Sequence, residues 1–461
     1  MASHTSPIAW HLHHATLDAV CAREACVVEI ATVERIPVEA GHVARAGKYM
    51  RQGASKAGAV GDWSIVEVCK VVSTQGLVGW GETIPHYTWG AVSDASVERV
   101  IGRNPAELMW DDSLGAGLQM ALFDLVGKQL GVPVHHLIGS PAPRSRPGPQ
   151  AAIARVRDWC PIAWWCWDMT PDDWVLETRD AVASGYTSFK FKARPWYDLR
   201  AAIEAISAAT PDHCTFDLDF NGTLVSVAQA QRVLTELEKF PKVHFFETPI
   251  PQDHVDANRS LRGKLRSPIA MHFDNPPFLT AIQEGVCDGW VLNQGAARTV
   301  HQAALADEAN MPFWLQLVGT GITTAFAAHL GAVLPQARWP AITCLNTYQD
   351  DLIEDPLEIR RGYVRVPQLP GLGVAIDEAA LQRLRRPDTV RHESPRMIHT
   401  VGWSDGYSVA YVDHSLMVED FVAGNRPMFE PGVLLTTEED DGSESFADRW
   451  KTVSEAMVLA G

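Results

Sequence analysis

Four strand-like segments in the middle of the chain recur at nearly equal intervals, and each ends in side chains that can hold a proton or a metal ion. These side chains are Lys190 and Lys192, Asp219 with Asn221, Glu247, and His272. Counted from Lys192, the intervals are 27, 28 and 25 residues, about the length of one strand, one helix and two loops. Residues at equivalent ends of successive βα units meet at one end of a (β/α)8 barrel. The spacing therefore predicts an α/β fold with such a barrel and a site at its mouth.

The residue types at these strand ends indicate proton abstraction. Lys190 and Lys192 lie two residues apart, so both side chains point to the same face of a strand. Two ammonium groups on one face disfavour each other's charge, and a nearby divalent cation adds to the effect, so at least one lysine should lose its proton more easily than a free lysine. A neutral lysine is a base. Asp219 and Glu247 would hold a cation that binds a carboxylate substrate and stabilises the enolate formed from it.

Two further stretches accompany these residues: Gly79 to Thr83 (Gly-Trp-Gly-Glu-Thr), and Leu118 to Lys128 followed by Gly131-Val132-Pro133. Together with the Lys-x-Lys, the Asp-x-Asn and the following Glu, their order resembles the enolase superfamily, in its mandelate racemase and muconate lactonizing enzyme group, over roughly residues 25 to 385. The resemblance implies a (β/α)8-type barrel with an N-terminal α+β capping domain. It also implies one divalent ion, with Mg²⁺ as the first candidate, and catalysis by the two lysines.

His272 departs from the family pattern, in which the fifth strand continues with an acidic ligand. Imidazole nitrogen in place of a hard oxygen suits Mn²⁺ or another transition metal better than Mg²⁺. Asp274 lies two residues further on, on the same strand face if the strand continues. Three alternatives are open: a different metal bound by Asp219, Glu247 and His272, Asp274 as the third ligand, or weakened metal binding.

The ends of the next strands also differ from the family. Asn293 stands where relatives would carry a second lysine, Gln316 where they would carry a histidine base, and Asn346 where a carboxylate would assist. With both opposing bases replaced, the pattern predicts chemistry on one face, with Lys192 as the base and Lys190 as its electrostatic partner. The reaction expected is removal of an α-proton and loss of a β-hydroxyl from a hydroxy or sugar acid.

Candidate substrate contacts come from the cap and from the barrel. In the cap, a Gly-rich segment predicted to be a mobile loop carries Lys48, Tyr49 and Arg51, and three more residues follow the Gly-Trp-Gly-Glu-Thr stretch. The complete set of candidates is Tyr49, Arg51, His86, Tyr87, Trp89, Asn221, Asn293, Gln316 and Asn346. A loop with Arg and Tyr can close over a polar acid and exclude water.

The chain divides into three predicted regions. Residues 1–140 form the α+β cap, 141–385 the barrel with the metal and catalytic residues, and 386–461 an extension of unknown role that lies beyond the family pattern. A Pro-rich stretch at 141–149 is the predicted linker. Barrel strands are predicted at 151–154 or 162–166, and then at 187–192, 214–219, 243–247, 268–272, 289–293, 313–317 and 341–345.

Composition limits the partners. The chain has 461 residues with 39 basic and 56 acidic side chains, giving a net charge of −17. Such a balance argues against nucleic acid and anionic membranes as partners and leaves a small carboxylate substrate, drawn in by local positive charge. Eight scattered cysteines without a Cys-x-x-Cys pair suit reduced thiols. No leader or membrane-spanning segment is apparent, so a cytoplasmic enzyme is expected, in a homo-oligomer as is common in the family.

Three functional hypotheses follow. The first is a metal-dependent lyase that acts on a hydroxy acid. The second is an isomerase, such as a racemase, epimerase or cycloisomerase, whose second base lies elsewhere, with His329 or His254 as candidates. The third is a barrel that has lost catalysis and binds a metabolite. The retained lysines favour an enzyme, whereas Asn293 and Gln316 at the opposing positions favour the third hypothesis.

Overall fold

The computed structural model describes residues 28–55, 58–87, 89–139 and 156–460. The predicted linker at 141–149 and the alternative first strand at 151–154 lie outside these residues. Within the described ranges, no helix combines the length and the apolar character that crossing a membrane requires. The six described cysteines are buried and free, in agreement with the expectation of reduced thiols.

The cap is an antiparallel sheet covered by helices. Its strands are β1 (Ile30–Glu39), β4 (Ile65–Ser73) and β5 (Val78–Thr83), in the order β1-β4-β5, with a short hairpin, β2 (Ala54–Ser55) and β3 (Gly58–Ala59). Its helices are α1 (Ala44–Gln52), α2 (Asp94–Val100), α3 (Pro105–Leu108), α4 (Ala116–Leu130) and α5 (Val134–Ile138). A Cβ added at Gly79 or Gly81 would lie 2.2 Å or 2.1 Å from a backbone oxygen of α4. The Gly-Trp-Gly sequence therefore lets α4 pack directly against β5.

The barrel is built on a parallel seven-stranded sheet. Its strands are β7 (Trp164–Cys166), β8 (Ser188–Lys192), β9 (Thr215–Asp219), β10 (Val243–Glu247), β11 (Ile269–His272), β12 (Gly289–Leu292) and β13 (Phe313–Leu315), paired in chain order. Single parallel bridges join Gln316 to Ile342 and Ile162 to Ala341. Residues 341–342 thus stand between the two edge strands and complete the ring where the eighth strand was predicted. The predicted barrel is confirmed.

Helices cover the outside of this sheet. They are α6 (Pro171–Ala183), α7 (Leu199–Ala209), α8 (Val227–Leu237), α9 (Val255–Arg262), α10 (Phe278–Glu284), α11 (Ala296–Glu308) and α12 (Gly321–Val333). A further helix, α13 (Glu378–Arg383), lies beside the cap strands, where Lys70 pairs with Glu378 and Glu39 N–H donates to the Leu384 oxygen. A short antiparallel sheet, β6 (Trp159–Pro161), β14 (Ile359–Arg360) and β15 (Tyr363–Arg365), lies beside the barrel. The apolar side chains of β8 to β10 are buried, among them Phe189, Phe216 and Phe246, as expected for strands that helices cover.

The extension forms a three-stranded sheet with two helices. Its elements are β16 (Met397–Gly402), β17 (Ser408–Tyr411), α14 (His414–Val422), β18 (Leu434–Glu439) and α15 (Glu444–Ala460), with strand order β17-β16-β18. The extension shares one apolar cluster with the loop that follows β8. Trp196 and Tyr197 of that loop pack there against residues of the extension, namely Val401, Trp403, Tyr411, Met417, Phe421, Val433 and Leu435. The extension therefore packs against the loop that directly follows the two candidate catalytic lysines.

Candidate active site

Strand register brings the first predicted site residues together. In the parallel pairing of β8 with β9, Lys192 is opposite Asp219, and in the pairing of β9 with β10, Asp219 is opposite Glu247. Parallel strands present their carboxyl ends at the same edge of the sheet. Lys190, Lys192, Asp219 and Glu247 accordingly form one buried group at the mouth of the barrel, with side chains between 1% and 11% exposed.

Lys192 is the more accessible of the two lysines. Its Nζ donates to Asp219 Oδ2 at 2.5 Å and to Asn221 Oδ1 at 3.2 Å, and its side chain is 11% exposed. Burial lowers the pKa of Lys192, and neighbouring Lys190 acts in the same direction, so the attraction of Asp219 offsets only part of the shift. Lys192 therefore gives up its proton more easily than a free lysine, as the sequence predicted for one member of the pair.

Lys190 is closed off from solvent and remains charged. Its side chain is 1% exposed, and its Nζ is ion-paired with Glu247, lies 3.5 Å from Asp219 Oδ2 and donates to Gln316 Oε1 at 3.0 Å. Burial alone would lower the pKa of Lys190, but the two carboxylates reverse the effect and raise it above the ordinary value. Burial alone would raise the pKa of Asp219, but Lys192 and Lys190 hold it below its ordinary range. The two lysines thus differ in environment: Lys190 is enclosed with a raised pKa, whereas Lys192 is more accessible with a lowered pKa.

Arg194 is a third cation at this edge that the sequence reasoning missed. It continues the alternation of Lys190 and Lys192 by two more residues, which is the signal that could have identified it. Its guanidinium is buried, donates to Asn221 Oδ1 at 2.7 Å and to the Asp219 backbone oxygen at 3.2 Å, and lies 4.0 Å from Asp168. Asn221, predicted to bind substrate, is thus held by both Lys192 and Arg194.

Asp217 lies deeper in the barrel than Asp219, opposite Lys190 in the strand pairing. It is 2% exposed, and neither carboxylate oxygen has a hydrogen-bond partner among the residues that the structure describes. Burial raises its pKa well above the ordinary value, and the attraction of Lys190 does not compensate. Asp217 therefore favours the neutral form and adds little negative charge to the group.

The side chains expected to hold a divalent ion are Asp219, Glu247 and His272, and each already has a partner within this group. Glu247 has buried oxygens without a hydrogen bond from any described residue, which favours a cation nearby, but Lys190 and His272 Nε2, at 3.2 Å, already stand beside them. Asp219 is likewise paired with Lys192. In the described part of the chain, no three acidic, histidine or cysteine side chains converge as ligands of one ion. As arranged, these residues do not fit a divalent metal.

Asp274, the alternative third ligand, turns away from this group. The strand β11 ends at His272, and Asp274 has a φ of 67°, so the alternation that would have placed both side chains on one face does not continue. Its carboxylate accepts from Arg298 at 2.7 Å and from Gln302 at 3.2 Å, on helix α11. The structure therefore places Asp274 with α11 rather than with the metal ligands predicted beside it.

Amide side chains stand at the ends of the strands across from Lys192. Gln316 is 8% exposed; it accepts from Lys190 and donates to the Tyr87 hydroxyl at 3.0 Å. Asn293 is partly buried and accepts from Gln294 at 3.1 Å. Asn346 is paired with the backbone of Trp165 on β7, at 3.0 Å and 2.9 Å. Gln316 links the site to the cap through its hydrogen bond to Tyr87. Asn346 joins the segment after residues 341–342 to β7 through its hydrogen bonds to the Trp165 backbone.

The remaining cap candidates are held by partners outside the lysine group. Tyr49 and Arg51 lie in helix α1 rather than in the mobile loop that the glycines predicted, so that prediction is wrong. The Tyr49 hydroxyl donates a hydrogen bond to Asp173 and is hydrogen-bonded to Thr170; burial and the Asp173 contact raise the pKa of Tyr49 to about 12, against the effect of Thr170. His86 Nε2 contacts the Thr389 carbonyl oxygen at 2.7 Å. Trp89 is partly buried.

The extension covers part of the barrel mouth. Phe429 packs edge-on against Phe220, the residue after Asp219, with ring centroids 6.0 Å apart, and its backbone N–H donates to the Pro195 oxygen at 2.9 Å. On the cap side, Glu439 accepts from Gln52 at 3.4 Å and lies 3.9 Å from Arg51. The extension thus contacts both the barrel loop that follows Lys192 and the cap helix that carries Arg51.

His329 and His254, the alternative second bases, lie apart from these contacts. His329 is fully buried in α12, where its Nδ1 lies 3.0 Å from Nδ1 of His135 and its Nε2 3.0 Å from the Leu372 oxygen. Burial lowers the pKa of His329 to about 3. His254 is exposed and precedes α9. The surroundings of His329 suit a packing role.

This histidine provides a prediction for the dependence of stability on pH. Because the unfolded chain takes up a proton near pH 6.5 and folded His329 only near pH 3, its stabilising contribution is present above pH 6.5 and is lost as the pH falls below it. His329→Gln should reduce the acid dependence of the unfolding free energy by about 1.4 kcal/mol per pH unit there. Urea unfolding between pH 6.5 and 4.5 measures it. The exposed His254→Gln is the control, and equal slopes for wild type and His329→Gln would contradict the assignment.

Comparisons with known proteins agree with this architecture. Residues 173–380 match the family model described as enolase C-terminal domain-like. The structure of muconate lactonizing enzyme from Pseudomonas fluorescens, complexed with muconolactone, aligns with a TM-score of 0.62 at 22% identity, covering 78% of this chain and 100% of that one. The resemblance to the enolase superfamily, and with it the capped (β/α) barrel, is confirmed.

The curated relatives catalyse different reactions within that superfamily. A D-gluconate dehydratase from Thermoproteus tenax is 25% identical over 366 residues, which are 68% of this chain and 69% of that protein. An N-succinylamino acid racemase from Thermus thermophilus is 27% identical over 346 residues, 67% of this chain and 87% of the relative. The similarity therefore supports an enzyme of this superfamily and does not select one reaction.

Proposed function

We propose that this enolase-superfamily chain removes the α-proton of a small hydroxy acid or sugar acid with Lys192 and then expels water, as a dehydratase does. The observation that carries the proposal is the difference in contacts and exposure between the two lysines. Lys192 reaches the mouth of the barrel with a lowered pKa, while Lys190 is enclosed by carboxylates and keeps its charge. The proposed reaction relies on protein cations rather than on a metal, because Asp219 and Glu247 are already paired with lysines.

The proton transfer follows from these two environments. Neutral Lys192 Nζ accepts the α-proton, and the electrons of the broken C–H bond move into the carboxylate to form an enolate. Lys190, on the same strand face, supplies a permanent positive charge close to that new negative charge. Arg194 and Asn221 hold the Lys192 side chain and its strand end in place. One deprotonated lysine and one charged lysine are therefore sufficient for the first step.

The second step removes the β-hydroxyl. As the enolate collapses, the C–O bond to the β-hydroxyl breaks, and the departing oxygen takes a proton and leaves as water. We assign that proton to His272, the partly exposed side chain that ends the fifth strand with its Nε2 3.2 Å from Glu247. The resulting enol tautomerises to a 2-keto acid. This assignment gives the histidine of the fifth strand a role that requires no metal.

One-face chemistry is supported by the amides across from Lys192. Gln316 and Asn293 end the strands where a racemase-type reaction would need a second base, and an amide does not accept a proton near neutral pH. Reprotonation from the opposite face is therefore disfavoured, which argues against racemisation and for elimination. The curated dehydratase relative is consistent with this choice.

The experiment that tests the proposal is incubation of the protein with a library of hydroxy and sugar acids in deuterium oxide. We expect one configuration of the accepted acid to gain deuterium at the α-carbon and to yield a 2-keto acid, detected by mass spectrometry and by semicarbazide. A two-base enzyme would exchange both configurations, which would replace elimination by racemisation or epimerisation. Binding of an acid without exchange or product would instead support a metabolite-binding barrel without catalysis.

A further inference from the structure

The position between the two strand-end carboxylates is already filled by a positive charge. Lys190 Nζ is ion-paired with Glu247 and lies 3.5 Å from Asp219 Oδ2, and all three side chains are 1% exposed. Gln316 Oε1, at 3.0 Å, and the Trp314 ring, at 5.2 Å, also lie beside the ammonium. The ammonium therefore has the carboxylate neighbours that a metal ion at this barrel edge would need.

The charges of the group are balanced by the protein itself. Buried carboxylates require compensation, and Asp219 and Glu247 receive it from Lys190, Lys192 and Arg194. A divalent ion placed between the same two carboxylates would lie next to the Lys190 ammonium and repel it. One of the two cations would have to move, and Lys190 is held by contacts on several sides.

The third ligand position supplies an imidazole nitrogen rather than a carboxylate oxygen. His272 is a nitrogen donor on the fifth strand, and the nearby carboxylate of Asp274 is committed to Arg298. Of the predicted ligands, the two carboxylates of Asp219 and Glu247 remain, and Lys190 already lies between them. The ligand types and the charge balance thus both argue against a divalent ion between Asp219 and Glu247.

We propose that the Lys190 ammonium takes the place of the divalent ion, so that the site binds a carboxylate ligand and stabilises an enolate with protein cations alone. The inference deepens the proposed function and rests on it for the enolate step. It gives Lys190 a role distinct from that of Lys192: Lys190 is the fixed counter-charge of the two carboxylates, and Lys192 is the base.

Metal binding by wild type and by Lys190→Met tests the proposal without any need for turnover. Wild-type protein should contain well below one divalent ion per chain by plasma mass spectrometry, and its melting temperature should not respond to Mn²⁺ or to EDTA. Lys190→Met removes the charge at similar length, so Glu247 loses its ammonium partner while Asp219 stays paired with Lys192. This variant should gain Mn²⁺ binding, seen as a rise in melting temperature and in equilibrium dialysis. The double variant Lys190→Met with Glu247→Gln should lose it again.

Lys128→Met is the matched control. Lys128 also neutralises a buried carboxylate, Asp124 at 2.6 Å, but it pairs with one carboxylate rather than two. Its removal should give no Mn²⁺ response. One tightly held ion per wild-type chain that EDTA removes, with a loss of stability, would overturn the proposal, as would Lys190→Met that folds and gains no Mn²⁺. If Lys190→Met does not fold, the wild-type metal content decides alone.

The outcomes separate this inference from the proposed function. If no acid exchanges deuterium but wild type lacks a metal and Lys190→Met gains one, the dehydratase proposal fails and the internal counter-charge stands. If exchange occurs and EDTA stops it, the function stands and the counter-charge fails. Exchange that continues in EDTA supports both.

Discussion

Replacing Lys192 by alanine is expected to slow α-proton exchange by about 10²- to 10⁴-fold, the contribution that a positioned general base makes. The reason is geometric as well as chemical. The side chain of Lys192 reaches the barrel mouth with a lowered pKa, whereas Lys190 is enclosed and keeps its proton. Deuterium incorporation into the accepted acid, followed by mass spectrometry, measures the loss.

Lys242→Met provides the control for this prediction. Lys242 is also buried, but it lies just before β10, at the opposite end of the strand from Glu247, and holds the backbone oxygens of Ser207 and Thr210 at 2.7 Å. Its loss should affect stability and leave the exchange rate of the folded protein unchanged. Unaltered exchange in folded Lys192→Ala would show that another group is the base.

The barrel could be predicted from the sequence because its signal is repetition. Lys192, Asp219, Glu247 and His272 recur at the length of one βα unit, and each does end its strand in the structure. Such periodicity can be recognised without knowing any side-chain contact, because the length of one βα unit determines the interval between successive strand ends. The division of the chain into cap, barrel and extension rested instead on the Pro-rich stretch at 141–149 and on the extent of the family resemblance, and its boundaries stay a prediction.

The arrangement of charges could not be predicted in this way. The sequence shows that Lys190 and Lys192 share a strand face, but not that one would be enclosed by two carboxylates and the other left at the mouth. Asp274 was expected beside His272 by alternation, and the end of β11 with a positive φ turned it toward Arg298 instead. Alternation predicts a side chain's direction only while the strand lasts.

The packing of the extension against the barrel could not be predicted from the sequence, for a different reason. Its contacts are made with the loop after β8, more than two hundred residues earlier in the chain, and no family pattern linked the two. Trp196 in that loop is fully buried by residues of the extension, with the Phe421 and His414 rings 5.6 Å away, and its Nε1 donates to Asp168 at 3.2 Å. Arg194, two residues earlier, also lies near Asp168. The extension therefore supports the same loop that carries a site cation.

Trp196→Ala should consequently destabilise the contact between extension and barrel by about 3–5 kcal/mol, the usual cost of removing a buried tryptophan. Hydrogen exchange should show early opening of β16 to β18, and limited proteolysis should release the extension. Trp450→Ala, which removes a partly buried tryptophan from α15 near Arg396, should leave the β8 loop protected.

Because the loop positions Arg194 and through it Asn221, the Trp196 variant should also bind the acid substrate more weakly. Full protection of β16 to β18 in Trp196→Ala would mean that the extension is held by its cap contacts, Glu439 with Arg51 and Gln52, rather than by this loop.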